Sequence, residues 1–257
     1  SLFKQSLIFI LFIVTLKSNK INKRRKNMKK LLVTLFALIF TVSFVSTSFS
    51  KNGHAQEQNV NDYQTLQQEG ILDNSISEKQ WNQHLQESKA GEQAIENEPD
   101  GTSTRSKFHL KSGDILISNA TSSKGLTGHA AIAISGNKVL HIHSAGHHPA
   151  VHSLSWFKKR YAKKGKWLKI YRSKNSKAGA KAASWAKKNY VGKKYKYGIN
   201  MKLKSKNPTY CSKIIYQAYK YGASKKSIYD PGSHIIAPYA LPNIFSKSYK
   251  IRKVKTY

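Results

Sequence analysis

The spacing of apolar positions changes several times along the second half of the chain, and each change marks a predicted element. Residues 112–114 (SGD) form a turn leading into 115–117 (ILI), a short buried strand. Residues 118–126 read as a polar loop. From His129 to Ser135 the chain alternates, with Ala130, Ile132 and Ile134 on one face and His129, Ala131 and Ala133 on the other, which predicts a strand. Gly136 and Asn137 signal a turn, and 138–143 a second strand. A further strand is expected at 167–172 (WLKIYR). A helix follows over 178–190, with Ala180, Ala183, Trp185 and Ala186 buried, and then a Tyr- and Gly-rich loop over 191–200. A second helix is predicted over 208–221, with Pro208 in its first turn, Gly222 at its end, and an apolar face of Ile214, Ile215, Ala218 and Tyr219. After a turn at 230–232 (DPG), a last short strand is expected near 249–254.

The loop length of the 129–143 hairpin decides where its histidines go. A two-residue loop puts Val139 and His141 on the face of Ile132 and Ile134, with a histidine in the apolar core. A three-residue loop shifts the pairing by one. Ile132, Ile134, Leu140 and Ile142 then share the core face, and His129, Ala131, Ala133, His141 and His143 share the other. The second arrangement separates apolar from polar positions and is the one expected. The elements together predict an α+β domain over 106–257, a small antiparallel sheet or partial barrel packed against helices. Roughly 150 residues bury a substantial core.

The first 105 residues follow different patterns. Met28 opens a secretory-signal pattern: Lys29 and Lys30, the apolar run 31–45, then small and polar residues with a cut expected after Ala55 or nearer Ser48. That run is short for a membrane span, which needs roughly 20 apolar residues. Residues 1–27, with their own apolar run at 7–16, read as an over-extended reading frame ahead of Met28. Residues 56–105 are rich in Gln, Asn, Glu and Ser and read as a flexible linker or pro-region; a short helix over 71–85 with Ser77 as its cap is the exception. The expected location is secreted, with or without attachment to the cell wall.

Charge sharpens this division. The chain holds 45 Lys+Arg against 12 Asp+Glu, a formal charge of +33. Ten of the acids lie between Glu57 and Asp100, whereas from residue 101 onward only Asp114 and Asp230 stand against 33 Lys and Arg. Such a domain repels itself unless it works near anions. It has no zinc-finger spacing, RNP-like aromatic motif or leucine-zipper heptads, which argues against nucleic acid. An anionic cell-wall polymer is the expected partner, membrane association stays open, and a monomer is expected.

One cysteine, Cys211, excludes an internal disulfide and reads either as a small core residue or as a reactive thiol. Its place at the start of the second helix exposes it to the positive end of the helix dipole, which predicts a lowered thiol pKa, with Lys213 pushing the same way. A nucleophilic thiol needs a base and the base an orienting group; His129 and His141 supply both from one sheet face. His141, His143, His147 and His148 have a spacing that zinc uses, but no carboxylate or Cys accompanies them, so neither metal nor cofactor is expected.

The stretch HAAIAISGNKVLHI (129–142) resembles the histidine-bearing hairpin of the circularly permuted NlpC-type papain-like cysteine peptidases, the YiiX-like and lecithin retinol acyltransferase-like group. TYCSK (209–213) resembles the start of that group's cysteine helix, and GDIL (113–116) and VGKKYKYG (191–198) are similar to further elements. The likeness covers roughly residues 110–245. It implies a permuted papain-like fold with Cys211 as nucleophile, His129 as general base and acid, and His141 orienting His129. The backbone N–H of Cys211 is expected in the oxyanion hole. A histidine at the third position, where the YiiX-like branch often has Glu, is common in the acyltransferase-like branch. The implied activities are a secreted amidase or peptidase acting on peptide or peptidoglycan stems, or a lipid acyltransferase or lipase with the same triad. A non-catalytic, basic wall-binding protein is the alternative from another class.

Overall fold

The structure is a computed structural model that describes residues 63–99, 108–121 and 125–257. The predicted signal segment, the 1–27 extension and both ends of the expected linker, 56–62 and 100–105, lie outside the described residues. Six strands form one open, fully antiparallel sheet: β1 (Ile115–Ser118), β2 (His129–Ala133), β3 (Lys138–His141), β4 (Ala150–Ser153), β5 (Leu168–Ser173) and β6 (Ile251–Thr256), in the order β4-β3-β2-β1-β5-β6. The class is α+β, as expected.

The hairpin has the three-residue loop. Ile132 pairs with Leu140 and Ala133 with Val139, and the Ile134 N–H donates to the Lys138 carbonyl, leaving 135–137 as the loop. This register puts His129, Ala131, Ala133 and His141 on one face. That face is no open surface: α3 (Leu154–Tyr161), capped by the Ser153 hydroxyl on the Trp156 N–H, lays Phe157 and Tyr161 over it. Strand β4 and helix α3 both escape the sequence pattern, because β4 is a half-buried edge strand with no clean alternation.

The opposite face carries the main core. Helix α4 (Ser176–Tyr190) begins at Asn175, whose side chain accepts the Ala178 N–H. It buries Ala178, Gly179, Ala182, Ala183, Ala186 and Tyr190, so the buried stripe is rotated from the expected one: Ala180 is exposed and Trp185 half-buried. The cause is a close approach, since a Cβ at Gly113 would lie 2.3 Å from the Gly179 backbone. Helix α5 (Cys211–Gln217) runs on into a π-helical turn, Ala218–Ala223. Pro208 precedes α5 instead of opening it. The Thr209 N–H donates to the Lys196 carbonyl and the Thr209 carbonyl accepts the Gly198 N–H, which holds that backbone extended against the 195–199 loop.

Residues 63–99, expected as a flexible linker or pro-region, are instead folded. Helix α1 (Tyr63–Gln68) leads into α2 (Glu78–Glu96), whose cap is the expected Ser77 in a reciprocal arrangement with Gln80. Leu66, Ile71, Leu72, Ile76, Trp81 and Ile95 are buried in the main core. The acids of this segment meet the basic domain: Glu92 accepts from the Tyr239 hydroxyl, Glu96 from the Trp167 indole and Glu98 from the Tyr171 hydroxyl. No helix of the described residues is long and apolar enough to cross a membrane.

Candidate active site

The first histidine of β2 and the last of β3 meet. His129 Nε2 lies 2.9 Å from His141 Nδ1, with the rings perpendicular (88°). Both side chains are fully buried. The His129 ring stacks on Tyr161, with centroids 4.5 Å apart and planes 6° from parallel. Phe157 packs beside it, so the imidazole has a defined plane as well as a hydrogen bond. Burial pushes both imidazoles down, His141 to about 3 and His129 well below its usual range; neighbouring histidines and Arg160 push the same way. At neutral pH both rings are neutral, the state in which one can serve as a base.

Cys211 is the first residue of α5 and only 1% exposed. The β2–β3 pairing stops at Ile132, where the two strands part, so the Ala130 N–H, which the alternation points toward β3, is left out of the ladder. It donates to the Cys211 sulfur instead. The thiol thus sits against the residue that follows His129. Ser212 and Cys211 add their own N–H groups. The Ser212 hydroxyl also lies beside the sulfur, but its single proton goes to the Ile236 carbonyl (2.6 Å), so the sulfur's donors are backbone amides.

These amides favour thiolate, as the helix position predicts, but burial outweighs them and pushes the thiol up to about 11. The expectation of a lowered pKa is therefore corrected: the helix start is buried, and desolvation penalises the anion. Lys213 does not assist. Its ammonium is buried, donates to Asn200 Oδ1 (2.9 Å) and the Pro208 carbonyl (3.1 Å), and is itself pushed down to about 8 by desolvation.

Tyr239, in the 3-10 turn Pro238–Asn243, lies nearby. Its ring lies on Gly128, where a Cβ would approach to 2.4 Å, and its phenol is close enough for the Cys211 charge to act on it. Gly91 of α2 packs on the other side of Tyr239, where a Cβ would meet the Tyr239 Cβ at 3.0 Å. The remaining histidines of the 141–148 stretch disperse: His147 bonds to Ser144, and His148 to the Tyr195 carbonyl. Among the described residues no group of three or more His, Cys, Asp or Glu is arranged to hold a metal.

Paired neutral imidazoles on β2 and β3, and a thiol at a helix start that meets β2 at Ala130, are the groups that covalent acyl transfer uses. The comparisons agree at the level of family. Residues 82–257 match the model of the lipoprotein N-acylation protein LnsA-like family, and the chain belongs to that acyltransferase-like family. An uncharacterized 30.3 kDa protein of Bacillus thuringiensis is 34% identical over 273 residues, covering 89% of this chain and 99% of that protein. No solved structure matches. The matched region starts inside α2, so it includes most of the helix that the sequence reading assigned to a linker.

Proposed function

We propose that this protein transfers a fatty acyl group to an amine through a thioester on Cys211. The observation that carries the reading is the buried His129–His141 hydrogen bond on the strand whose next residue, Ala130, meets the thiol at the start of α5. With Nε2 committed to His141, His129 Nδ1 is the nitrogen that exchanges protons with the substrate and the thiol. Because the thiol is neutral at rest, its proton passes to His129 Nδ1 as Sγ attacks the ester carbonyl of a lipid. The C–O bond breaks, the departing alkoxide takes the proton from His129, and the acyl group remains on sulfur. An amine then attacks the thioester, His129 accepts its proton and returns it to the thiolate, and the amide leaves. The neutral His141 accepts the Nε2–H of His129 throughout and steadies the transient imidazolium less than a carboxylate would.

The family match supports acyl transfer over peptide cleavage, and an amine acceptor is the chemistry named in the family's description. The charge supports a lipid donor in an anionic surface: from residue 101 onward 33 Lys and Arg face two acids, and among the described residues those two pair with Arg172 (Asp114, 2.7 Å) and His234 (Asp230, 2.7 Å), not with a lysine. The secretory pattern at 28–55 favours work outside the cytoplasm. The test supplies phosphatidylglycerol vesicles as donor and an N-terminal cysteinyl diacylglyceryl peptide as acceptor. N-acylated peptide that appears with the wild type and is lost in Cys211→Ala supports the reading. Cleavage of peptidoglycan stem peptides without acyl transfer would replace it with the amidase alternative.

A further inference from the structure

The hydrogen bonding does not end at His141. His141 Nε2 lies 3.0 Å from Nδ1 of His152, on β4, which pairs with β3 through Val139↔His152. The His152 ring is stacked on Trp156, with centroids 3.7 Å apart and planes 11° from parallel, and it is half-buried. Three imidazoles are therefore linked in series from β2 through β3 to β4, the edge strand of the sheet.

Resting on the acyl-transfer reading, we propose that His152 is a positioning residue for the site: by accepting the Nε2 proton of His141, it fixes the tautomer of His141 and, through it, that of His129. The argument counts protons. For His129 to take a proton on Nδ1, its own proton must sit on Nε2, where it donates to His141 Nδ1. That nitrogen must then be bare, so neutral His141 carries its proton on Nε2, facing His152 Nδ1. His152 must in turn offer a lone pair there and keep its proton on Nε2. The full reverse also satisfies both contacts, but it puts the His129 proton on Nδ1 and leaves that nitrogen unable to take one; every mixed sense sets two N–H groups, or two lone pairs, against each other at one of the two contacts. The Trp156 plane holds His152 so that Nδ1 points inward. The groups facing this line are Arg160 of α3 and His143 and His147 of the loop after β3; all are cationic when charged and oppose a resident proton on it. His152 thus sets direction without storing charge.

The test uses His152→Phe, which keeps the stacking surface but removes the acceptor, and His152→Asn, whose amide oxygen can accept the same proton. In the full chain, 15N spectra of the imidazoles read the tautomer of His141, and turnover of p-nitrophenyl octanoate reads catalysis. Expected results are an Nε2–H tautomer of His141 in the wild type and a mixture in His152→Phe. The kcat of His152→Phe should fall about ten- to hundred-fold at unchanged KM, with His152→Asn recovering most of it. An unchanged His141 tautomer in His152→Phe overturns the proposal, as does His152→Asn as slow as His152→Phe. If Cys211→Ala still turns over the ester, the acyl-transfer reading fails, and the spectra alone decide the role of His152.

Discussion

His129 Nε2 and His141 Nδ1, twelve positions apart in the chain, are held 2.9 Å apart inside a shell of Phe157 and Tyr161. Across this contact one ring must donate and the other accept, so the proton positions on the two are coupled. His141→Ala removes the acceptor and leaves a cavity under α3. Turnover is expected to fall on the order of a hundred-fold or more. His141→Asn, which can still accept through its amide oxygen, should keep a larger share. Steady-state kinetics on the two variants check this, and equal activity of wild type and His141→Ala would remove His141 from the site.

Acid should destabilise the fold steeply. His84, His129 and His141 are all buried, with pKa values pushed down, to about 4 for His84 and about 3 for His141. The unfolded chain binds protons at these positions near pH 6.5, whereas the folded protein does not. Their contribution is therefore complete above about pH 6.5 and is lost as pH falls toward the folded values. Three such groups give a slope on the order of 4 kcal/mol per pH unit between about pH 6 and 4. Denaturant titrations across that range test it. His84→Phe should remove about one third of the slope, because both His84 nitrogens lack a partner among the described residues.

Cys211 should react slowly. It is buried, and burial disfavours its thiolate, so iodoacetamide labelling should keep rising with pH beyond about pH 9, without a plateau near neutrality. Glu92→Ala frees the Tyr239 hydroxyl from α2 and should raise the labelling rate several-fold at constant pH. Fast labelling at pH 7 in the wild type would contradict the buried thiol.

Gly128, the residue before His129, lets the Tyr239 ring approach β2 closely. Its φ is +75°, and a Cβ there would lie 2.4 Å from the Tyr239 ring. Gly128→Ala is expected to cost about 1–3 kcal/mol from backbone strain alone, with turnover falling as Tyr239 is displaced. Thermal melts beside kinetics separate the two effects.

The hairpin and its histidine pair were legible because a period-two pattern with a polar face admits only one sensible register, and Ile132↔Leu140 is that register. The start of the cysteine helix was legible in outline, though Thr209 is drawn into a bridge with Tyr197 and moves the first turn to Cys211. What pattern reasoning missed depends on distant partners. The Gln- and Glu-rich α2 becomes ordered because its few apolar residues, Trp81 and Ile95 among them, reach the main core, and its acids reach Tyr239, Trp167 and Tyr171. The thiol's burial follows from its place in the main core, among residues distant in the chain. In the sequence His152 is one histidine of a histidine-rich stretch. Its meaning appears once β4 pairs with β3.

The most direct measurement of the central claim is the mass of the Cys211 peptide after the intact protein has met phospholipid vesicles and been quenched in acid. The account predicts a fatty acyl mass on Cys211 that hydroxylamine removes and that builds up when the amine acceptor is withheld. A peptidyl adduct on Cys211, or acyl transfer that proceeds undiminished in Cys211→Ala, would contradict it.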